Sequence, residues 1–302
     1  MKGKYKFAVL GGDMRQYAVA RELLERDVSV CVSMLCRDCS QERGIVVCDG
    51  PMEAISSADG VVLPLPVTMD GCTLNCSVYG EGKGMPLDNI IEGMDTEAVL
   101  FGGRIPLSAV TKARSRGIRV YDYFLSEELQ IKNAYITAEA AVSIAMNSLD
   151  KCLRGAKVAV TGAGRISRLL SELLVKLGCS VTVCARNKDA LTYFELMGCD
   201  TLRIYEGGET PWSIPLAVGY DIVFNTVPSW IFGRDFLKRA DRGLIMVELA
   251  SSPGGIDICA ARELGTNVLW ASSLPGKYAP ESAGRLIAAC VLEEFCGEGD
   301  TR

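Results

Sequence analysis

The sequence predicts an α/β protein with two doubly wound parallel-sheet domains joined by long helices. Short apolar segments alternate with amphipathic helical segments along the chain, which is typical of parallel sheets covered by helices on both faces. Two apolar segments run directly into glycine turns, VLGGDMRQ at 9–16 and VTGAGRIS at 160–167. The chain has 302 residues, enough for two ordinary domains, and 49% of them are hydrophobic, as expected for strands buried on both faces.

The first half begins with an apolar strand, KFAVLGG at 6–12, and an amphipathic helix, MRQYAVARELLERD at 14–27. Further strands are predicted at 28–34, 45–50, 59–67, 98–105 and 118–123, with a helix at 108–117. Residues 68–95 are rich in Gly, Asp, Asn and Cys and are predicted to form a long loop, which at this length is often functional. These elements predict a flavodoxin-like domain over residues 1–133.

The second half repeats the alternation. Residues 157–164, KVAVTGAG, are predicted to be a strand that leads into a helix at 165–178. The strands that follow are predicted at 180–186, 221–228, 243–251 and 267–276, with helices at about 188–197 and 233–239. This order predicts a Rossmann domain that, together with a linking helix, spans residues 134–278.

Two longer helices are predicted outside this alternation. Residues 134–153 carry alanine and apolar residues at helical spacing, with Thr137 as the cap and Glu139 in the first turn, and are predicted to join the domains. A second helix at 279–296 has Pro280 at its start. The segment 279–302 is therefore predicted to pack back on the first domain and complete it.

Composition argues against several classes of partner. The net charge of −5 argues against nucleic acid, because binding to phosphates requires a basic face. No apolar run approaches the roughly 18 residues that a membrane helix requires. The start, MKGKYKFAVLGGD, has no secretory apolar region or cleavage site, so a cytoplasmic protein is expected.

The thirteen cysteines are expected to be free thiols in such a chain. A zinc set from Cys36, Cys39, Cys72 and Cys76 is disfavoured because the second pair has three intervening residues and the chain has no histidine, so no metal is expected. The absence of histidine also means that any proton transfer must use a carboxylate, lysine, tyrosine, cysteine or water.

The second glycine turn has the spacing of a dinucleotide fingerprint, since GAGRIS follows a predicted strand and opens a predicted helix. Gly162 permits the tight turn, and Gly164 lets the backbone approach a pyrophosphate at the helix N-terminus. The third position of the fingerprint is Ser167, a small residue that still allows close packing of the helix on the sheet. The cofactor contacts predicted here are Gly162, Ala163, Gly164, Arg165 and Ile166. A glycine turn that binds nothing remains the alternative.

The end of the next strand favours NADP over NAD. An NAD site places an acid there to accept from the ribose 2′-hydroxyl, but CARNK has no acid before Asp189. The cations of Arg186 and Lys188, with Asn187 between them, suit a 2′-phosphate. Arg186 as a solvated loop cation remains the alternative.

Two later strands end in polar segments at the edge where open α/β sheets bind ligands. The predicted contacts to the nicotinamide side are Asn225, Thr226, Val227, Pro228, Ala250 and Ser251. The segments SSPGGID and SLPGKYAP supply turns that can close over this side of the cofactor, although ordinary turn chemistry explains them equally well.

The first glycine turn has no G-x-G and is a poor nucleotide site. It still places the backbone of Gly12 and the guanidinium of Arg15 at the carboxyl end of a strand, where they can bind a carboxylate. Arg104 in FGGRIP also follows a strand. Two arginines at this edge predict a dianionic substrate, with structural or surface roles for each arginine as the alternative.

The segments VLGGDMRQ, NAYITAEAAV, VTGAGRIS, NTVPSWIF, ELASSPGGID and LPGKYAPESAGRLIA, in this order, resemble the family formed by the A subunit of bacterial dipicolinate synthase. The resemblance covers essentially the full length of the chain. It implies a sporulation enzyme that oxidises dihydrodipicolinate to pyridine-2,6-dicarboxylate with NADP, together with a flavoprotein-like B subunit.

The resemblance also assigns roles to residues. It implies a small dicarboxylate substrate held by Arg15 and Arg104, and a nicotinamide site onto which Gly162, Gly164, Arg186 and Asn225 map. Because formation of the aromatic ring supplies driving force, a carboxylate such as Glu139 or Asp13 suffices as proton acceptor, with Thr137 beside it. The location implied is the mother-cell cytoplasm, and a homo-oligomer is expected.

Two rival interpretations remain open. An NAD(P)-dependent 2-hydroxyacid dehydrogenase shares the two-domain plan, but it normally uses a histidine paired with a carboxylate, and this chain has no histidine. A protein that binds NADP without catalysing hydride transfer would use the same fold.

Overall fold

The computed structural model of the chain describes residues 5–77, 84–204 and 213–297. The chain forms two compact units, one from Met1–Asn133 together with Pro275–Arg302 and the other from Ala134–Leu274. Each unit contains a six-stranded parallel sheet, so the predicted fold class is confirmed. Within the described ranges, no helix combines the length and apolarity needed to cross a membrane.

The strands of the two sheets follow one another in chain order. They are β1 (Lys6–Leu10), β2 (Ser29–Ser33), β3 (Ile45–Val47), β4 (Gly60–Val62), β5 (Val99–Gly102), β6 (Arg119–Asp122), β7 (Lys157–Thr161), β8 (Ser180–Ala185), β9 (Asp200–Arg203), β10 (Ile222–Asn225), β11 (Ile245–Glu248) and β12 (Asn267–Trp270). The spatial orders are β3-β2-β1-β4-β5-β6 and β12-β11-β10-β7-β8-β9. Numbered in chain order within each unit, both sheets have the order 3-2-1-4-5-6 of the Rossmann fold. The first sheet differs from the predicted flavodoxin order, 2-1-3-4-5, because the additional strand β3 pairs with β2 at the edge.

The helices lie mostly between consecutive strands. They are α1 (Met14–Glu25), α2 (Pro51–Ile55), α3 (Leu87–Gly93), α4 (Leu107–Ser115), α5 (Glu127–Ser148), α6 (Arg165–Lys176), α7 (Lys188–Leu196), α8 (Arg234–Arg239), α9 (Ile258–Leu264), α10 (Leu274–Tyr278) and α11 (Pro280–Gly297). In the first unit, α11 packs closely on α1, and its residues Ile287 and Val291 join the core of that unit.

Alternate residues of each strand face opposite sides of its sheet, and both sides are buried. In β7, Val158 and Val160 belong to the core that includes Leu170 and Leu174 of α6. Ala159 belongs instead to the core that includes Phe236 and Ala260. Burial on both faces explains why the strands read as continuous apolar runs.

The strand order of each sheet reverses at one point, between β1 and β4 in the first and between β7 and β10 in the second. Ligands of open α/β sheets bind beyond the carboxyl ends of the strands at such a point. Both glycine turns lie there, because the first follows β1 and the second follows β7.

The predicted start of the linking helix, at residue 134, is wrong. Helix α5 begins at Glu127, and the Ser126 hydroxyl accepts from the backbone N–H of Leu129 at 3.3 Å, as an N-cap does. Thr137 and Glu139 therefore lie in the interior of the helix and neither caps it nor lies in its first turn. Thr137 is buried, whereas the Glu139 side chain is exposed.

The loop predicted over residues 68–95 also needs correction, because it contains α3. Leu87, Ile90 and Ile91 of this helix are buried in the core of the first unit, so tertiary burial stabilises a short helix there. The sequence pattern also does not predict β9 or α9. Both are short, four and seven residues, and lie at the periphery of the second sheet.

Candidate functional sites at the carboxyl ends of the two sheets

The turn after β7 has the backbone that a pyrophosphate site requires. Gly162 has φ +96°, and a Cβ there would lie 2.5 Å from Thr226 Oγ1. Gly164 is exposed, and a Cβ there would meet no atom within 4 Å. Glycine is thus required at position 162 by packing and by the positive φ. Gly164 instead leaves open space beside the N-terminus of α6, where an anion can approach.

Ser167 occupies the third position of the fingerprint without disturbing the packing. It is fully buried, and its Oγ lies 2.8 Å from Thr226 Oγ1, which in turn donates to the Thr161 carbonyl at 2.7 Å. Since the Thr226 hydroxyl has one proton, Ser167 donates to Thr226. This chain of hydrogen bonds ties α6 to β7 and β10. It also commits the Thr226 side chain to the protein rather than to a ligand.

The N-terminus of α6 itself is accessible. Arg165 is exposed, and Ala163 and Ile166 are half-buried. The first N–H groups of a helix have no partner within the helix, and its dipole favours an anion there. The residues present therefore fit the pyrophosphate of a dinucleotide, with backbone N–H groups as the donors.

The cations predicted for a 2′-phosphate follow the neighbouring strand β8, which pairs with β7. Arg186 and Lys188 are exposed there. Asn187 has a different role, since its side chain accepts from the backbone N–H of Ala190 at 3.1 Å and caps α7. The described end of β8 carries no acid before Asp189.

Asn225 does not face a ligand, contrary to the prediction. Its Nδ2 donates to the Glu248 carboxylate at 2.8 Å and to the Val227 carbonyl at 3.0 Å. Its Oδ1 accepts from Thr161 Oγ1 at 2.6 Å and from the Val227 N–H at 3.1 Å. The side chain is fully buried and all its hydrogen-bonding capacity is used within the protein.

Glu248, at the end of β11, was missed by sequence reasoning. It is fully buried, and its carboxylate accepts from the backbone N–H groups of Ala250, Gly255 and Ile256 at 3.0, 2.8 and 3.2 Å. An acid that closes an otherwise apolar strand is the signal that could have identified it. The Ala250 N–H is thereby bound within the protein, whereas Pro228 and Ser251 are exposed, as are their neighbours Ser229 and Ser252.

In the first unit, Asp13 and Arg15 form a rigid pair. Asp13 caps α1, and Arg15 donates to its carboxylate from Nε at 2.9 Å and from Nη2 at 2.8 Å. Nη2 also donates to the Leu65 carbonyl at 2.6 Å. Among the described residues Nη1 has no hydrogen-bond partner, so it is the part of the buried guanidinium left to bind a ligand.

Gly12 does not offer its N–H to a substrate, contrary to the prediction. This N–H donates to the Asn75 carbonyl at 2.8 Å, and the Gly12 carbonyl accepts from Ser77 Oγ at 2.8 Å. The N–H of Gly11 donates to the Ser33 carbonyl at 3.1 Å. The first glycine turn therefore anchors the segment around residue 75 and orients Asp13 and Arg15, and it does not bind an anion with its own backbone.

Arg104 follows β5 and is exposed. Its backbone is left-handed at φ +56°, and its N–H donates to Asp122 Oδ1 at 3.1 Å. The guanidinium lies over the Phe124 ring, 5.1 Å from the centroid. The backbone N–H of Arg104 is hydrogen-bonded to Asp122 and its guanidinium is stacked on Phe124. The charge of Arg104 therefore has a defined position at the carboxyl end of the first sheet.

Gly276 lies directly against the pair of Asp13 and Arg15. A Cβ at this position would lie 2.5 Å from Asp13 Oδ2 and 3.0 Å from Arg15 Nε. Any side chain there would displace the carboxylate or the guanidinium. The sequence predicts a turn in the LPGKYAP segment. It does not predict the contact of this segment with Asp13, because the two are far apart in the chain.

The cysteines are all free thiols. Among the residues that the structure describes, no cluster of three or more cysteine and carboxylate side chains could hold a metal ion. Burial raises the pKa of the Cys36 thiol, and the nearby Asp13 carboxylate and Cys76 raise it further. Hydrogen bonds lower this pKa but only partly offset the rise. The thiol is therefore protonated at neutral pH.

Comparison with known proteins relates the chain to one family. Residues 6–124 match the family described as the N-terminal domain of the dipicolinate synthase A subunit. The A subunit of dipicolinate synthase from Bacillus subtilis (strain 168) is 27% identical over 293 residues, which are 97% of this chain and 96% of that protein. The resemblance inferred from the sequence is confirmed.

Solved structures agree with this relationship. The dipicolinate synthase A chain from Bacillus subtilis has a TM-score of 0.80 at 26% identity and covers 99% of this chain and 97% of its own. The corresponding protein from Bacillus halodurans has a TM-score of 0.81 at 24% identity, with coverage of 97% and 98%. An L-alanine dehydrogenase and a D-lactate dehydrogenase share the fold at 15% and 12% identity. The chain thus shares the Rossmann fold of these two proteins.

Proposed function

Because the chain is related over nearly its whole length to the A subunit of dipicolinate synthase, we propose that it oxidises dihydrodipicolinate to dipicolinate, pyridine-2,6-dicarboxylate, with NADP during sporulation. The observation that carries the proposal is the turn at Gly162 and Gly164. It lies at the reversal point of the second sheet and presents an accessible helix N-terminus to an anion. The second unit is the nucleotide unit in this proposal, and the first unit binds the substrate.

The proposed cofactor site is formed by the carboxyl ends of β7 and β8. The N–H groups at the start of α6 hold the pyrophosphate, and Arg186 and Lys188 hold the 2′-phosphate. Bound NADP supplies the hydride acceptor. Pro228 and Ser251, exposed at the ends of β10 and β11, flank the nicotinamide side.

The proposed substrate site uses two arginines of the first unit. Arg15 presents Nη1 to one carboxylate, with its orientation fixed by Asp13 and the Leu65 carbonyl. Arg104 binds the other carboxylate. Each of the two guanidinium groups can donate hydrogen bonds to one carboxylate, which supports a dicarboxylate over a simple 2-hydroxyacid.

The reaction removes a hydride from one saturated ring carbon and a proton from the other, and the ring becomes aromatic. Glu139 is the proposed proton acceptor, directly or through water, because its side chain is exposed. Asp13 is less suited because both its oxygens accept from Arg15. Thr137 is buried in α5 and serves in this proposal to place the segment that carries Glu139.

A partner protein is part of the proposal, since the related proteins are described as the A subunit of dipicolinate synthase. We propose that the partner is the flavoprotein-like B subunit and that the chain forms a homo-oligomer. The location proposed is the mother-cell cytoplasm.

The test is hydride transfer. The purified chain is mixed with NADP and with dihydrodipicolinate generated in situ by its upstream synthase, and NADPH and the pyridine product are followed by absorbance with and without the partner protein. Formation of both products in equal amounts supports the proposal, with the partner requirement read from the two arms. Tight binding of NADP without product in either arm would instead identify a non-catalytic nucleotide-binding protein.

A further inference from the structure

Glu248 is a buried acid without a counter-ion in the described part of the second unit. Its side chain has no accessible surface, and its carboxylate contacts only backbone N–H groups and the Asn225 amide. Burying an acid is costly unless its oxygens are fully hydrogen-bonded. The hydrogen bonds of Glu248 therefore decide how this edge of the sheet is organised.

Both carboxylate oxygens of Glu248 are used, on different parts of the chain. Oε1 accepts from the Ala250 N–H at 3.0 Å and from Asn225 Nδ2 at 2.8 Å. Oε2 accepts from the Gly255 N–H at 2.8 Å and the Ile256 N–H at 3.2 Å. The carboxylate therefore holds the start and the end of the segment 249–256 at one point, beside β10.

The segment 249–256 is built to fit this carboxylate. Gly254 has φ +79°, and a Cβ there would lie 3.0 Å from Glu248 Oε2. A Cβ at Gly255 would lie 2.6 Å from Asn225 Nδ2. The Gly255 carbonyl accepts from the N–H groups of Ile231 and Phe232 at 2.9 and 2.8 Å. The segment, which follows β11, is thus fixed to the loop that follows β10.

We infer that Glu248 is a positioning residue for the nicotinamide half of the nucleotide site. This inference rests on the proposed function. In a sheet of this topology one half binds the adenosine side and the other half binds the nicotinamide side of a dinucleotide. The ends of β7 and β8 carry the fingerprint and Arg186, so the segment that Glu248 holds at β10 and β11 serves the nicotinamide side.

Glutamine cannot replace Glu248, although it has nearly the same shape. In either orientation, the amide NH₂ of Glu248→Gln faces a backbone N–H, that of Ala250 on one side or those of Gly255 and Ile256 on the other. At least one backbone donor then loses its acceptor, and the segment 249–256 shifts. In the described structure, the hydrogen bonds of Glu248 lie at the ends of β10 and β11, and β7 separates β10 from β8 in the sheet.

The experiment compares two ligands on the full chain. NADPH spans both halves of the site, whereas 2′,5′-ADP occupies only the adenosine half. For Glu248→Gln, the Kd of NADPH is expected to rise by at least about tenfold, while the Kd of 2′,5′-ADP stays within about twofold of the wild type. Glu172→Gln is the matched control, since Glu172 is exposed on α6 and pairs with Lys176 on the surface. Both constants should be unchanged in this control.

The outcomes separate this inference from the proposed function. If the wild-type chain binds neither ligand, the proposed function fails. If the wild type binds both and Glu248→Gln binds NADPH normally, or loses both ligands equally, Glu248 is not a positioning residue for the nicotinamide side. Should Glu248→Gln not fold, Gly254→Ala displaces the same segment from the carboxylate without removing the acid itself. Gly254→Ala must then raise the Kd of NADPH selectively, as expected for Glu248→Gln. An equal rise in the Kd of both ligands, or no rise in either, overturns the inference.

Discussion

Individual residues at the carboxyl end of the second sheet divide into two groups. Thr161, Ser167, Thr226 and Asn225 have their polar atoms bound within the protein and hold the turn in place. The start of α6 and the cations after β8 are exposed, and in the proposed function they bind the ligand. Affinity for the nucleotide should therefore depend on charge and backbone geometry more than on hydroxyl or amide side chains.

Arg186→Ala should reduce the preference for NADP over NAD. Loss of a charged hydrogen-bonding group at the 2′-phosphate should lower kcat/KM for NADP by about 10- to 100-fold and leave that for NAD within about threefold. Steady-state kinetics with both cofactors measures this ratio. Arg242→Ala, an exposed arginine that precedes β11 at the other edge of the sheet, is the control and should change neither value. An equal loss with both cofactors would remove Arg186 from the 2′-phosphate.

Gly276→Ala should weaken the substrate site selectively. The new Cβ would overlap Asp13 Oδ2 and rotate the Arg15 guanidinium, so the Kd of pyridine-2,6-dicarboxylate should rise by about tenfold or more. Titration calorimetry with the dicarboxylate and with NADPH separates the two sites. Gly50→Ala adds the same methyl group where nothing lies within 4 Å and should leave both constants unchanged. Normal dicarboxylate binding by Gly276→Ala would exclude the Asp13–Arg15 pair from the substrate site.

The residues whose position could be predicted are those whose partners are local. GAGRIS is identified by spacing within one turn, and its geometry is as the fingerprint requires. Asn225 was assigned to the cofactor because its actual partner, Glu248, lies 23 residues away on the next strand. Gly12 was assigned to the substrate because its acceptor, Asn75, belongs to a distant loop. A sequence pattern does not show whether a polar group is already hydrogen-bonded to a residue far away in the chain.

At the scale of elements, α11 is an essential part of the first unit because it crosses α1 at very short range. A Cβ at Gly284 would lie 2.4 Å from Ala18 Cβ and 2.5 Å from the Arg15 carbonyl. Glycine is required there by the distance between two helices, although its φ is not left-handed. The contact also joins the C-terminal helix to the helix that carries Arg15.

Gly284→Ala should destabilise the protein by about 1–3 kcal/mol, in spite of the better helix propensity of alanine, because the helices must separate. Urea unfolding measures the free energy. Gly297→Ala in the same helix, where a Cβ meets no atom within 4 Å, should be neutral or slightly stabilising. Stabilisation by both substitutions would contradict the close contact of α1 and α11.

The alternation of strands and helices was predictable because parallel strands buried on both faces are locally apolar. The start of α5 was misplaced because Thr137 has the chemistry of a cap, whereas the cap used is Ser126. Helix α3 was missed because its stability comes from burial of Leu87, Ile90 and Ile91 against other elements. Helix ends and short helices therefore required the tertiary structure.

At the scale of the whole molecule, buried thiols make stability depend on alkaline pH. Burial raises the pKa of Cys184 from its usual 9.0 to about 12, and burial with Asp200 raises that of Cys199 to about 11. A raised pKa in the folded state contributes stability below the unfolded-state pKa, and this contribution is lost as pH rises toward the folded-state value. Both cysteines belong to the second unit.

The free energy of unfolding should therefore fall above about pH 9, by up to about 1.4 kcal/mol per pH unit for each buried thiol. Urea unfolding at pH 8 to about pH 10.5 measures the slope, and Cys184→Ala should make it shallower, whatever its effect at pH 8. Cys152→Ala, at an exposed cysteine, should not change the slope. An equal slope in wild type and Cys184→Ala would contradict the role of this thiol.

In the proposed function, the chain transfers a hydride from a cyclic dicarboxylate to NADP. The most direct measurement uses dihydrodipicolinate with deuterium on both saturated ring carbons, incubated with the chain, NADP and the partner protein. We expect dipicolinate together with deuterium in the reduced nicotinamide, detected by mass spectrometry. Dipicolinate whose deuterium appears only in water, or an intact substrate beside tightly bound NADP, would contradict hydride transfer by this chain.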